Sequence, residues 1–276
     1  MTVCVDVVEA TARLRDWLAA HRRVFVLTGA GCSTGSGIPD YRGADGAWKR
    51  RAPITYQAFT GDTAMRTRYW ARSVVGWPMV ERARPNAAHL AIADAGHAGR
   101  VTALVTQNVD GLHQRAGSRD VIDLHGRIGE VVCLQCSRRM PRAALQDELV
   151  QLNPGWGDRV AGHAPDGDAD LDDDEVAGFR VAPCADCDGM LKPDVVFFGE
   201  NVPRERVARA ASALADADAM LVVGSSLMVY SGYRFARAAR EAGKPLAILT
   251  RGVTRADALA TVKIDADCTQ VLPGAW

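Results

Sequence analysis

Five short apolar runs separated by longer stretches constrain this chain more than any other feature. Val24-Phe25-Val26-Leu27 is β-branched and aromatic, and it ends at Thr28-Gly29. Such a run reads as a strand buried on both faces, followed by a tight turn. Comparable runs recur at Val101 to Thr106, Met220 to Gly224, Pro245 to Thr250 and Val262 to Asp265. Helical-looking Ala/Arg stretches at 205–218 and 233–242 separate several of them, and Val7, Leu14, Trp17 and Leu18 recur at roughly helical spacing. Strand–helix alternation of this kind predicts a parallel sheet covered by helices on both faces.

Two stretches break the alternation. Residues 44–80 hold Trp48, Tyr56, Phe59, Tyr69, Trp70 and Trp77 without strand periodicity and read as a small helical insertion. Residues 128–190 carry two CxxC pairs and an acidic tract, and read as a second insertion organised around metal. With 276 residues the chain is sized for one to two domains. Thirty-three basic and 33 acidic side chains cancel, which argues against a protein that coats nucleic acid. No apolar run approaches the ~18 residues of a membrane span. Asp6 and Glu9 stand where a targeting segment would be basic, so none is expected, and the cytoplasm is the expected compartment.

The glycine-rich stretch Gly29 to Arg42 follows the first strand. Backbone N–H groups in such a turn can approach a phosphate. Its third glycine comes one residue late for the usual dinucleotide fingerprint, and no clear acidic ribose ligand follows. Glycine spacing alone leaves a phosphate loop and a structural turn equally open. Thr106 to His113 (TQNVDGLH) sits where ligands bind, beyond a strand's C-terminal end. Its Gln, Asn and Asp suit a ribose and a carboxamide, yet Asn-Val-Asp-Gly is also good turn chemistry. His125, in Leu124-His125-Gly126, is the best-placed group titrating near neutral pH.

Cys133-x-x-Cys136 and Cys184-x-x-Cys187 can supply four thiolates to a closed tetrahedral zinc site, with a disulfide or redox pair as the competing reading. The 47 residues between the pairs exceed the usual ribbon spacing, so the intervening segment must loop out. Residues 166–175 superficially resemble a calcium loop. Leu171 occupies the position that needs glycine and Ala177 the position of the bidentate Glu, so the tract reads as a solvated loop.

Together these pieces resemble the sirtuins, NAD-dependent protein-lysine deacylases. GAGCSTGSGIPDYRG, TQNVDGLH, LHG, the paired CxxC, LKPDVVFFGE and VVGSSLMVYSG occur in order over roughly residues 24–270. RYWARSVVGWP (68–78), HAPDGD (163–168), FFGENV and VYSGYRF resemble the class II type. The resemblance implies an α/β fold: a Rossmann-like doubly wound parallel sheet (1–43, 81–127 and 191–276), a helical insertion (44–80) and a small zinc-ribbon domain (128–190).

It also implies roles for particular residues. Gly29, Ala30, Gly31, Ser33 and Thr34 would hold the NAD phosphates, with Asp40, Tyr41 and Arg42 on the nicotinamide and ribose side. Gln107, Asn108 and Asp110 would hold the nicotinamide ribose and carboxamide, and Gly224, Ser225 and Ser226 the adenosine half. Thr250-Arg251-Gly252 replaces the family's frequent Asn, so that contact would be weaker or come from backbone at Thr250 and Gly252. Cys268 would touch adenine or be a buried structural thiol. The acyl-lysine would thread between Val195–Phe198 and Leu227–Ser231, touching Val196, Phe198, Gly199 and Val229. Tyr69 and Arg72 have the Tyr-x-x-Arg spacing of sirtuins that grip a distal acyl carboxylate, against the reading of a plain helix surface.

In the implied reaction nicotinamide leaves C1′ of the ribose, the acyl oxygen attacks there, and His125, with Asn108 beside it, deprotonates a ribose hydroxyl. A mobile loop at 36–50 would exclude water. The products would be lysine, nicotinamide and acyl-ADP-ribose. Partners would be acyl-lysine proteins or peptides, without nucleic acid or membrane. Two other functions compete: mono-ADP-ribosyl transfer from the same NAD site, and a zinc-ribbon module that only senses the cofactor.

Overall fold

The structure is a computed structural model and describes residues 6–49, 53–159, 162–163, 169–171 and 176–276. Residues 164–168 of the HAPDGD stretch and most of the acidic tract lie outside the described residues. Helix α1 (Val7–Ala19) precedes strand β1 (Val24–Thr28); α2 (Tyr56–Gly61), α3 (Thr63–Arg82) and α4 (Ala87–His97) then lead to β2 (Val101–Thr106). Next come α5 (Leu112–Arg115), β3 (Ile122–Asp123), β4 (Gly126–Cys133), β5 (Arg139–Pro141) and α6 (Arg142–Leu152). They are followed by β6 (Gly162–His163), β7 (Ala169–Asp170), β8 (Leu191–Val195) and α7 (Arg204–Asp216). The last elements are β9 (Ala219–Val223), α8 (Tyr230–Glu241), β10 (Leu246–Leu249), β11 (Val262–Ile264) and α9 (Cys268–Val271).

Six strands pair in parallel in the order β11-β10-β9-β1-β2-β3. Ranked by position in the chain this is 6-5-4-1-2-3, the order of a doubly wound dinucleotide-binding sheet. Every residue of β1, β9 and β10 is buried, and alternate side chains serve opposite layers. Val24, Val26, Leu221 and Leu249 pack with Leu14, Leu18 and Ile92 of α1 and α4. Phe25, Leu27, Val222 and Ile248 pack with Leu214, Phe235 and Ala239 of α7 and α8. A strand with two dry faces explains runs that are apolar throughout rather than alternating. Each such side chain contributes roughly 1.5–3 kcal/mol of burial.

The second sheet is antiparallel, in the order β5-β4-β8. Leu191–Val195 therefore pairs with β4 here rather than in the six-stranded sheet, although it lies beyond the 128–190 segment set apart by sequence. The two insertions also share one core. Phe59, Trp70 and Val74 of α2 and α3 pack with Val131, Leu145, Leu149 and Phe179. Arg142 is fully buried between them and donates to Ser73, with Trp70 and Trp77 flanking its guanidinium.

Candidate active site

Strand connections diverge between β1 and β9, and a cavity of about 660 Å³ opens at that point beyond the strand ends. Its walls come from the loops after β1, β2, β9 and β10, from residues 195–202, and from the start of α8.

The β1 and β9 loops interlock through missing side chains. Gly31 N–H donates to the Gly224 carbonyl at 2.8 Å, and Gly29 N–H to Val223 at 3.0 Å. Gly224 has φ +60°, and a Cβ on it would stand 2.2 Å from the Cys32 amide nitrogen. Only glycine permits this approach. The β2 loop adds a polar network. Asn108 Nδ2 donates to the Gly29 carbonyl and to Ser33 Oγ, each at 3.0 Å, while Ser33 donates to Asp110 at 2.6 Å. Gln107 Nε2 donates to Ser225 Oγ at 2.7 Å, joining this loop to the loop after β9. These carbonyl, hydroxyl and carboxylate groups form a donor and acceptor set suited to ribose and carboxamide. The residues present therefore fit a dinucleotide.

His125 occupies the link between the two sheets, with its carbonyl held by Val196 N–H at 2.8 Å. Gly126 follows at φ +81°, where a Cβ would fall 1.9 Å from the Asp194 carbonyl oxygen, which accounts for the glycine of the LHG triplet. The ring contacts the Gln107 carbonyl through Nδ1 at 2.9 Å and Ser231 Oγ through Nε2 at 2.8 Å. A carbonyl only accepts, so Nδ1 carries the proton and Nε2 is the acceptor for the Ser231 hydroxyl at the cavity wall. Burial lowers the pKa from 6.5 to about 4. The ring is thus neutral throughout the physiological range, in place of the near-neutral titration expected from sequence.

Most sequence-predicted positions meet at this cavity. Gly29, Ala30, Gly31, Ser33 and Thr34 line it from the first loop, and Asp40, Tyr41 and Arg42 from the segment beyond. Gln107, Asn108, Asp110 and His125 border it, with Gly224, Ser225, Ser226, Thr250 and Cys268. Val196, Phe198, Gly199 and Val229 form its other side. The segment at 38–49 is folded across it, with Trp48 edge-on to Phe198 at 5.6 Å and Lys49 paired with Asp40.

Three residues sit elsewhere. Gly252 does not line the cavity. At φ +76° its missing Cβ leaves room for Ala44 of the 38–49 segment, whose carbonyl accepts from Val253 N–H. Tyr69 is buried against Phe59, Trp70 and Phe197, and Arg72 Nε donates to the Ala169 carbonyl of β7. Both lie outside the cavity because the face of α3 that carries them packs into the small unit's core. Ser231, the partner of His125, is 106 positions away in sequence, and nothing local marks the pairing.

Four thiols gather at the far end of the small unit. The sulfurs of Cys133, Cys136, Cys184 and Cys187 lie within 4.8 Å of one another, with Cys133–Cys187 at 3.6 Å and Cys136–Cys184 at 3.7 Å. A tetrahedral metal with bonds of about 2.3 Å to sulfur requires edges near ~3.8 Å, whereas a disulfide needs about 2.05 Å. Gln135 N–H donates to Cys133 Sγ at 3.4 Å, and a Cβ on Gly189 would press within 2.8 Å of the same sulfur. The cluster fits a closed metal site with no free position. Among the described residues no helix is long and apolar enough to cross a membrane.

Residues 29–231 match the model of the Sir2 family. A protein called NAD-dependent protein deacetylase from Xanthomonas axonopodis pv. citri is 59% identical over 259 residues, covering 94% of this chain and 88% of the relative. A solved Sir2 structure with a p53 peptide and NAD+ superposes with a TM-score of 0.73 at 32% identity, covering 93% of both chains. Another, with 2'-O-acetyl-ADP-ribose and a deacetylated p53 peptide, also gives 0.73, at 30% identity and 95% coverage of both. The match spans the glycine loop, the polar loop, His125 and both cysteine pairs, and the chain belongs to the Sir2 family.

Proposed function

We propose that this chain is an NAD-dependent protein-lysine deacylase, releasing nicotinamide and forming acyl-ADP-ribose. The observation that carries the reading is His125: with Nδ1–H fixed by the Gln107 carbonyl, its acceptor Nε2 borders the same cavity that the interlocked Gly31 and Gly224 loops line. Relatives named as NAD-dependent protein deacetylases support it, as do Sir2 structures with peptide and acetyl-ADP-ribose. NAD supplies an electrophilic ribose carbon on loss of nicotinamide and the hydroxyl that receives the acyl group.

This chain's residues do the rest. The Gly29–Thr34 loop and Gly224–Ser226 cradle the dinucleotide, with Thr250 and Cys268 at its adenine side. Gln107, Asn108 and Asp110, braced by Ser33 and Ser225, orient ribose and carboxamide. His125 takes a proton at Nε2, with the Gln107 carbonyl fixing the tautomer. Residues 38–49 shield the reacting carbon from water. The acyl-lysine enters between Val196–Gly199 and Val229, at the seam of the two units.

We assign zinc to the four cysteines, in a structural role, because a closed thiolate set leaves no position for substrate. We place the chain in a reducing compartment such as the cytoplasm, where a four-thiolate zinc site persists.

Mass spectrometry of peptides carrying acetyl, succinyl, glutaryl or lipoyl lysine, with and without NAD, tests the reading. Equimolar nicotinamide and acyl-ADP-ribose are expected. Adenine label appearing on protein with no acyl-ADP-ribose would assign ADP-ribosyl transfer instead.

A further inference from the structure

Among the described residues four cationic side chains line the cavity: Arg42, Lys49, Arg234 and Arg251. Three have protein partners. Lys49 pairs with Asp40, Arg251 pairs with Asp267 at 3.0 Å, and Arg42 donates to the Gly46 carbonyl while lying over the Trp48 ring. Arg234 differs. Among the described residues no carboxylate pairs with it, its Nε is buried without a hydrogen-bond partner, and its guanidinium carbon stands 5.2 Å from the Tyr230 ring centroid.

The cavity's own carboxylates do not supply the missing charge. Asp40 and Asp267 serve Lys49 and Arg251. Glu200 pairs with buried Lys192 at 3.1 Å, and Asp110 accepts from Ser33 Oγ and Leu112 N–H. Arg234 lies three residues along α8 from Ser231, whose Oγ contacts His125. Side chains at that spacing share a helix face, about 5–6 Å apart at Cβ. A lysine amide presented to His125 therefore brings its acyl chain and neighbouring residues within reach of the guanidinium. A half-buried guanidinium left with unused donors is costly, and the planar fork matches a carboxylate.

We propose that Arg234 reads a carboxylate on the substrate, so that the favoured substrates are acyl-lysines accompanied by an anionic group. The carboxylate has two possible sources: the distal end of the acyl chain, or an acidic side chain next to the lysine. The assignment rests on the deacylase reading above and adds a substrate class to it.

The test compares peptides of one sequence. One set carries acetyl-lysine beside Glu or beside Gln. The other carries glutaryl-lysine or its terminal amide in a neutral sequence. The readout is the carboxylate-to-amide ratio of kcat/KM in the wild type, in Arg234→Met and in Arg234→Lys. In at least one set the wild-type ratio should be about tenfold or more, as a charge-assisted hydrogen bond predicts. Methionine should bring it near one, and lysine should recover part of it. The Glu set and the glutaryl set tell the two sources apart.

A wild-type ratio near one in both sets overturns the proposal, as does a ratio that persists in Arg234→Met. A raised KM for NAD with the ratio unmoved would give Arg234 to the cofactor phosphates instead. If no peptide releases nicotinamide, the deacylase reading is what fails. The same ratios, read from peptide affinity by fluorescence anisotropy, then still decide the role of Arg234.

Discussion

Replacing His125 with Ala tests the chemistry most directly, because the ring's surroundings predict both a rate and a pH profile. Nδ1–H is committed to the Gln107 carbonyl, so one tautomer is available, and its Nε2 lone pair accepts from Ser231 Oγ at the cavity wall. Burial lowers the pKa from 6.5 to about 4, which favours the neutral ring. A folded-state pKa below 6.5 means the base form persists until the pH falls towards 4.

The kcat/KM for an acyl peptide should therefore be level from pH 8 to 6 as far as His125 is concerned, with its acid limb near 4–5. Enzyme held briefly at each pH and returned to neutral separates this limb from unfolding. His125→Ala should lose about 10²–10⁴ in turnover, the range of general-base catalysis, while NAD still quenches tryptophan fluorescence. An acid limb centred near 6.5, or a variant keeping a tenth of wild-type turnover, would refute the reasoning.

Acid should also destabilise the fold through His89, which is fully buried and lowered to about 4 by desolvation. The unfolded chain takes up its proton first, so stability is complete above about pH 6.5 and falls towards pH 4, by up to ~1.4 kcal/mol per pH unit. Urea titrations at pH 7.5, 6 and 5 should show a shallower slope in His89→Gln, and an equal slope would count against it. Gly224→Ala should cost about 2–4 kcal/mol and raise the KM for NAD at least tenfold, because φ +60° is unfavourable and its Cβ meets Cys32 N at 2.2 Å. A variant with wild-type melting temperature and KM would mean the loops are looser than their hydrogen bonds indicate. Elemental analysis should find about one zinc per chain, and Cys136→Ser should release it and lower the Tm; a metal-free chain of full stability would exclude the structural role. Arg72→Met should slow acetyl and succinyl peptides alike, and a selective loss on succinyl-lysine would return Arg72 to the acyl group.

The amino-acid order by itself determined whatever depends on local chemistry. Runs such as Val24–Leu27 are apolar at every position because both faces of a central strand are dry, and that demand is visible without coordinates. The order of glycine loop, polar loop, LHG and paired CxxC carried the family, since each needs particular residues at fixed short spacings. Relations between distant segments were decided only by the tertiary structure. Val131 and Phe179 pack against Trp70, so the two insertions share a core and the Tyr69 and Arg72 face turns away from the cavity. Leu191–Val195, with Lys, Pro and Asp among its five residues, carries no strand signal of its own, and its place beside β4 rests on pairing that no local spacing encodes. Gly252 needs its glycine for Ala44 rather than for a ligand. Likewise His125 is legible as a titrating group from its residue type, while its tautomer and lowered pKa come from Gln107, Ser231 and the burial that folding alone creates.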